Sequence, residues 1–204
     1  MIAVIGTGPM GVALARALAA AGYRVRNAGV REVSLSAVLG EARTVIYALP
    51  RRVALDTAPA LPDGDRRILV DVTNPAFDAR PPQPSLGRSV GELLSERLPS
   101  WRVVKAFNTV PAGLVGSPRL CGVPVTVPVA GDEPLSRQSV CAMAARLGFD
   151  AVDAGGIIAS RAIESLAALL WNVGNASGHR GRVGFRLLSD ARPDRKVRAG
   201  DAQQ

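Results

Sequence analysis

Residues 2–11 limit this chain's fold more than any other stretch. Ile2-Ala3-Val4-Ile5 is a short continuous apolar run, the pattern of a strand buried on both faces of a parallel sheet. Gly6-Thr7-Gly8-Pro9-Met10-Gly11 follows at once. Val12 to Ala21, rich in Ala and Leu and closed by Gly22, then reads as a helix. A strand, a Gly-x-Gly-x-x-Gly turn and a helix, in that order, are the context that makes the three glycines a dinucleotide fingerprint. Gly6 permits the tight turn, Gly8 lets the backbone approach a pyrophosphate, and Gly11 lets the helix pack closely on the strand. The helix N-terminus adds N–H donors and the positive end of its dipole.

The remaining pattern extends this unit into a sheet. Strands are predicted at Tyr23–Asn27, Thr44–Ala48, Ile68–Asp71, Arg102–Phe107, Val123–Val129 and Phe149–Val152. Helices are predicted at Ser34–Glu41, Val90–Arg97, Leu135–Leu147 and Ile157–Asn172. Ser89 reads as the N-cap of the helix at Val90, with Glu92 completing a capping box. The stretch Ala79–Gly87 holds Pro81, Pro82 and Pro84 and reads as a loop. Alternation of strands and helices gives an α/β class, Rossmann-like, with a mostly parallel sheet and a C-terminal helical portion. The expected organisation is a single domain over residues 1–188, then a basic, disordered tail over 189–204.

Composition excludes several chemistries. His179 is the one histidine among 204 residues, and Cys121 and Cys141 are the only cysteines. They offer no metal-ligand spacing, no disulfide framework and no Ser-His-Asp hydrolase, so no metal is expected. Aromatics at 4% argue against stacking on nucleic acid, although Arg180, Arg182, Arg186, Arg192, Arg195, Lys196 and Arg198 crowd the C-terminal end. A solvated basic tail is the expectation, with no nucleic-acid partner. Gly155–Gly174 is broken by Arg161 and Glu164 and reads as a core-facing helix, not a membrane span. With no targeting segment in view, a soluble, cytoplasmic protein is expected.

The adenosine side departs from the common pattern. A carboxylate about 20 residues past the glycines ordinarily binds the ribose of NAD. Here the second strand ends in Asn27-Ala28-Gly29, the first acidic residue is Glu32, and Arg24, Arg26 and Arg31 lie nearby. Arginines without an acid favour NADP. Only Val30 to Val33 separate Gly29 from the helical stretch at Ser34, whereas a parallel crossover needs about a dozen residues. The usual second crossover helix and third strand do not fit, so this side of the pocket is abbreviated.

Gly6 to Gly11, Asp71-Val72-Thr73-Asn74-Pro75, Val104-Lys105-Ala106-Phe107-Asn108-Thr109, Ala130-Gly131-Asp132 and Val152-Asp153-Ala154-Gly155 occur in that order. Together they resemble the NADPH-dependent F420 reductase (F420H2:NADP oxidoreductase) family, a pattern shared with the reductase domain of the STEAP metalloreductases. The resemblance covers residues 1–188. It implies hydride transfer between NADP(H) and a deazaflavin (coenzyme F420) or a flavin-like acceptor. It assigns cofactor binding to Gly6, Thr7, Gly8, Pro9, Met10 and Gly11, to Ala48, Leu49 and Pro50, to Asn74 and Pro75, and to Val110, Pro111 and Ala112. Asn108 and Thr109 fall where the reacting rings meet and take the catalytic role. Hydride transfer needs positioning and exclusion of water more than an acid–base pair, which suits a site without His or Cys. Family members commonly form dimers, so a homodimer through the long apolar helix is expected. The family's Ser-Arg-type loop and helix for the 2′-phosphate read as deleted here, and Arg31 is not equated with its arginine.

An alternative is kept beside this reading: a degenerate nucleotide-binding or interaction protein that has left catalysis behind. Other residues have plainer readings. Asp71 is expected to stabilise a turn, Arg161 and Glu164 to pair along one helix face, and Trp101 and Trp171 to pack.

Overall fold

The computed structural model describes residues 1–30, 35–74, 87–179 and 181–190. The proline-rich loop, Arg31, Pro75 and residues 191–204 lie outside the described residues, so the reading of the tail stays an expectation.

Along the chain run β1 (Ile2–Ile5), α1 (Pro9–Ala20), β2 (Val25–Ala28), α2 (Leu35–Leu39), β3 (Thr44–Tyr47), α3 (Arg51–Thr57), β4 (Ile68–Asp71) and α4 (Val90–Arg97). Then come β5 (Arg102–Lys105), β6 (Arg119–Leu120), β7 (Val123–Pro124), β8 (Thr126–Gly131), α5 (Pro134–Arg146), β9 (Asp150–Asp153) and α6 (Ser160–Ala176). The main sheet has seven strands in the order β2-β1-β3-β4-β5-β8-β9. The first five are mutually parallel. β8 runs antiparallel to β5, with β9 parallel to β8. Among the described residues the sheet ends at β2, as the short connection to α2 requires.

Each face of the sheet carries its own core. Leu14 and Leu18 of α1 and Val140, Met143 and Ala144 of α5 pack with Val4, Ile46, Val70, Val104, Phe107 and Phe149 on one face. Val38, Leu39, Ala54, Leu94, Leu98 and Trp101 pack with Ala3, Ile5, Val45, Tyr47 and Leu69 on the other. Alternate residues of β1, β3, β4 and β5 therefore serve opposite cores, and these inner strands read as mostly apolar runs because both faces are covered. This is the doubly wound, Rossmann-like architecture.

Several boundaries differ from expectation for local reasons. α1 begins at Pro9, not Val12, because Pro is suited to the first helical position and Gly8 caps it. α3 is a short helix the sequence pattern does not predict. The strand expected over Val123–Val129 is split: Val123–Pro124 pairs back on Arg119–Leu120 in a hairpin turned by Cys121 (φ 50°) and Gly122 (φ 77°). The last helix opens with a 3-10 turn, Ile157–Ala159, and runs on to Ala176. The turn and α6 together are long and apolar enough, by length and composition, to cross a membrane. Here they pack on the fold, burying Ile163, Glu164, Ala167 and Ala168.

The Ser89 capping box is as expected: Ser89 Oγ accepts from Glu92 N, and Glu92 Oε2 accepts from Ser89 N. The expected Arg161–Glu164 pair is not formed. Arg161 instead makes a bidentate contact with Glu92 of α4 at 2.6 and 2.7 Å, and Glu164 turns inward to Lys105 at 2.7 Å. Three helical positions apart, the two side chains point to different partners because one faces α4 at the surface and the other the core.

Candidate functional site

β1, β3, β4 and β5 all end at one edge of the sheet, where ligands of open α/β sheets bind. The loops that follow them enclose a cavity of about 690 Å³ with part of α6. That volume lies within the range typical of cofactor sites. One end holds Gly8, Pro9 and Met10; Ala48 to Arg51 lie beside them; Val72, Thr73 and Asn74 and then Asn108 to Ala112 continue the wall. α6 contributes Leu170 and Trp171.

The three glycines play the separate parts their spacing implies. A Cβ on Gly6, whose φ is +130°, would lie 2.1 Å from the Ala48 carbonyl oxygen. A Cβ on Gly11 would lie 2.1 Å from the Gly6 carbonyl oxygen. Both are required by the protein's own packing. A Cβ on Gly8 would meet no protein atom within 4 Å, and Gly8 lines the cavity. The space a side chain would fill there is left open at the N-terminus of α1, which has no side-chain cap. That is the cradle a nucleotide phosphate needs.

The polar part of the wall is built from strand ends. Phe107 sits at φ +62°, rare for a non-glycine residue, and is fully buried edge-on against Phe149 at 5.9 Å. This left-handed step turns the chain out of β5, and Asn108 and Thr109 follow on the cavity wall. Asn74 Nδ2 donates to the Asn108 carbonyl at 2.8 Å, and Asn108 Nδ2 donates to Ile163 O at 3.3 Å. Asn108 Oδ1 and Thr109 Oγ1 are buried without a hydrogen-bond partner in the protein. Unsatisfied buried polar atoms are costly, and two on one cavity wall suit a polar ligand group. The open Gly8 cradle and these two atoms fit a nicotinamide dinucleotide.

Beneath this wall lies a buried ionic cluster. Lys105 Nζ donates to Asp71 Oδ2 at 2.9 Å, to Glu164 Oε1 at 2.7 Å and to the Thr73 carbonyl at 2.7 Å, with all three ionisable side chains fully buried. Asp71 Oδ1 accepts from Thr73 N, so Asp71 stabilises the turn as expected and anchors Lys105 as well. Val90 N donates to Glu164 Oε1. Burial pushes the Glu164 carboxyl above its ordinary range, against the pull of Lys105. The cluster ties β4, β5, α4 and α6 together directly under Thr73, Asn74 and Asn108.

Of the residues singled out from sequence, Gly8, Pro9, Met10, Ala48, Leu49, Pro50, Asn74, Asn108, Thr109, Val110, Pro111 and Ala112 line the cavity. Gly6, Thr7 and Gly11 shape the loop without lining it, and Pro75 is outside the described residues. Sequence reasoning missed Arg51, the one charged residue lining the cavity among the described residues, and the whole α6 wall. Trp101 packs, as expected, with Nε1 donating to the Pro62 carbonyl. Trp171 does not only pack: it forms part of the wall, because the cavity lies between α6 and the strand ends. Ala130-Gly131-Asp132 and Val152 to Gly155 are structural. A Cβ on Gly131 would lie 2.8 Å from Val103 O; Asp132 Oδ1 accepts from Ile157 N; Asp153 Oδ1 accepts from Gly155 N and Arg137 Nε. Among the described residues no group of His, Cys, Asp and Glu could hold a metal ion.

A doubly wound sheet, an open glycine cradle and a polar wall at the strand ends define a dinucleotide-binding protein of the oxidoreductase class. The sequence profile of NADP oxidoreductase, coenzyme F420-dependent, matches residues 1–75. A crystal structure from Sinorhizobium meliloti, hypothetical protein SMa0349, is 30% identical, with 93% of this chain and 96% of that one aligned at TM-score 0.67. Another, from Arthrobacter sp. FB24, described as a candidate F420-dependent NADP reductase, is 27% identical, covers 92% and 99%, and has TM-score 0.80. The metalloreductase STEAP3 of Rattus norvegicus is 28% identical over 189 residues; the match takes in 84% of this chain but only 38% of that protein's length. An Aspergillus terreus reductive aminase, 19% identical at TM-score 0.62, shares the fold. The chain belongs to the F420-dependent NADP oxidoreductase family.

Proposed function

We propose that this protein transfers a hydride between NADP(H) and a deazaflavin, coenzyme F420, or a flavin-like acceptor. The observation that supports this most directly is the make-up of the cavity. It joins an open glycine cradle to a polar wall with unsatisfied atoms and to an apolar wall bearing Trp171. NADP(H), when bound, supplies the hydride. The chain's part is to seat the phosphates at Gly8 and α1, and to orient the nicotinamide through Asn74, Asn108 and Thr109. Leu170, Trp171 and Val110 keep water from the reacting faces. None of these steps needs a residue that moves a proton, in line with a wall that, among the described residues, holds no His, Cys or carboxylate.

Titration with NADP+, NAD+ and F420, read by fluorescence and calorimetry, followed by NADPH oxidation with F420 or a flavin as acceptor, tests the reading. Saturable nucleotide binding and acceptor-dependent oxidation are expected; a folded protein that binds nucleotide but oxidises it with neither acceptor refutes the acceptor class. That the sheet ends at β2 among the described residues favours the second reading, a nucleotide-binding protein without catalysis, and binding without turnover is its signature. A cytoplasmic location and a homodimer belong to the first reading; exposed Leu169 and Val173 on α6 support the pairing.

A further inference from the structure

The end of β2 is where a dinucleotide fold ordinarily carries the carboxylate that holds the adenosine ribose. Just before that place, the side chain of Asn27, the next-to-last residue of β2, is engaged with the glycine loop. Its Nδ2 donates to the Val4 carbonyl at 3.0 Å and to the Gly6 carbonyl at 2.8 Å. An amide nitrogen carries two hydrogens, so both are used on backbone oxygens, and carbonyls on both bonds fix which way the amide faces. The Gly6 N–H in turn donates to Ala28 O at 2.9 Å. The first glycine of the loop is therefore held on both its polar groups by the end of β2. Gly6 needs that hold, because it sits at φ +130° and its carbonyl is the surface on which Gly11 packs.

We propose that Asn27 is a positioning residue of the nucleotide site. It keeps the glycine loop in its phosphate-binding shape by holding the Gly6 carbonyl against β2. The proposal rests on the dinucleotide reading of the cavity. A carboxylate at this position would set a negative charge against two carbonyl oxygens with no hydrogen to offer either. The atom Asn27 has left, Oδ1, is a neutral acceptor that can take a hydrogen bond from a ribose hydroxyl and does not repel a 2′-phosphate. Among the described residues few charges surround it. β1, the glycine loop and α2 carry no ionisable side chain, and Arg16 on α1 is exposed. On and beside β2 stand exposed Arg24 and Arg26, the latter donating to Ala37 O at 2.5 Å. Any preference for the 2′-phosphate of NADP therefore falls to these arginines and not to Asn27.

The test compares the parent with Asn27→Ala and Asn27→Asp, by thermal melts at pH 8 and pH 5 and by calorimetric titration with NADP+ and NAD+. Asn27→Ala should lose affinity for both nucleotides by a common factor, on the order of tenfold, since it removes the brace and adds no charge. Asn27→Asp should melt below Asn27→Ala at pH 8. It should regain stability as the pH falls, when the introduced carboxyl takes up a proton it can donate, a recovery Asn27→Ala does not show. It should gain no affinity for NAD+. An Asn27→Asp protein that melts like the parent and binds NAD+ more tightly overturns the proposal. So does an Asn27→Ala protein whose affinities both stay within about twofold of the parent's. If Asn27→Asp does not fold at either pH, the Asn27→Ala titrations decide. A parent that binds neither nucleotide refutes the dinucleotide reading, while the melts still decide whether Asn27 braces the loop.

Discussion

Replacing Gly8 with leucine should abolish nucleotide binding and leave the fold nearly untouched. Its φ of −72° is open to any residue, and a Cβ there meets nothing within 4 Å. The structural cost is confined to the N-cap, where an apolar residue is worse than glycine by about 0.5–1 kcal/mol. In a domain of this size that lowers Tm by about 1–4 °C. The leucine side chain fills the space in front of the α1 N-terminus, and charge-assisted hydrogen bonds there contribute roughly 1.5–3 kcal/mol each. Losing two weakens binding by about 10²–10⁴-fold. Gly6→Ala is the control with the opposite signature. It forces a Cβ to within 2.1 Å of the Ala48 carbonyl at a φ of +130°, which costs about 3–5 kcal/mol and shows first as a loss of Tm. Thermal melts beside calorimetric titration with NADP+ separate the two. A folded Gly8→Leu protein with the parent's affinity would refute the assignment of the phosphate cradle.

Asn108→Ala should lower kcat by about 10–100-fold and change nucleotide affinity by less than about threefold, because orientation counts most at the transition state; equal turnover in steady-state NADPH oxidation moves the reaction centre elsewhere. Lys105→Met strands Asp71 and Glu164 in the core and should cost about 3–5 kcal/mol, with Glu164→Gln in the same chain restoring part of it in denaturant titrations; a single mutant as stable as the parent contradicts the cluster. Hydrogen bonds from Arg161, above all, hold the Glu92 carboxyl down at about 2 from an ordinary 4.5. Its folded value is lowered, so its stabilisation is present above about pH 4.5 and is lost as the pH falls towards 2. Arg161 is half exposed, so the effect is about 1 kcal/mol, and the Tm gap between the parent and Glu92→Gln should close between pH 5 and pH 2.

Local sequence decided the nucleotide end of this protein. The strand, the glycine spacing and the following helix are neighbours in the chain, and the space Gly8 leaves open depends on little beyond them. The same holds for the Ser89–Glu92 box and for the missing outer strand, since a connection as short as Val30–Val33 cannot carry a crossover. Long-range packing decided the rest. That Trp171 lines the cavity, that Arg161 reaches Glu92 while Glu164 turns to Lys105, and that Asn27 spans Val4 and Gly6 all join residues far apart in sequence. Such contacts are set by which helix face meets which strand end. A period of 3.6 residues shows that a helix has an apolar face but not what that face will cover. Asn27 shows the limit most plainly: its place near a strand end is legible, and only the fold reveals that two backbone oxygens converge on its amide.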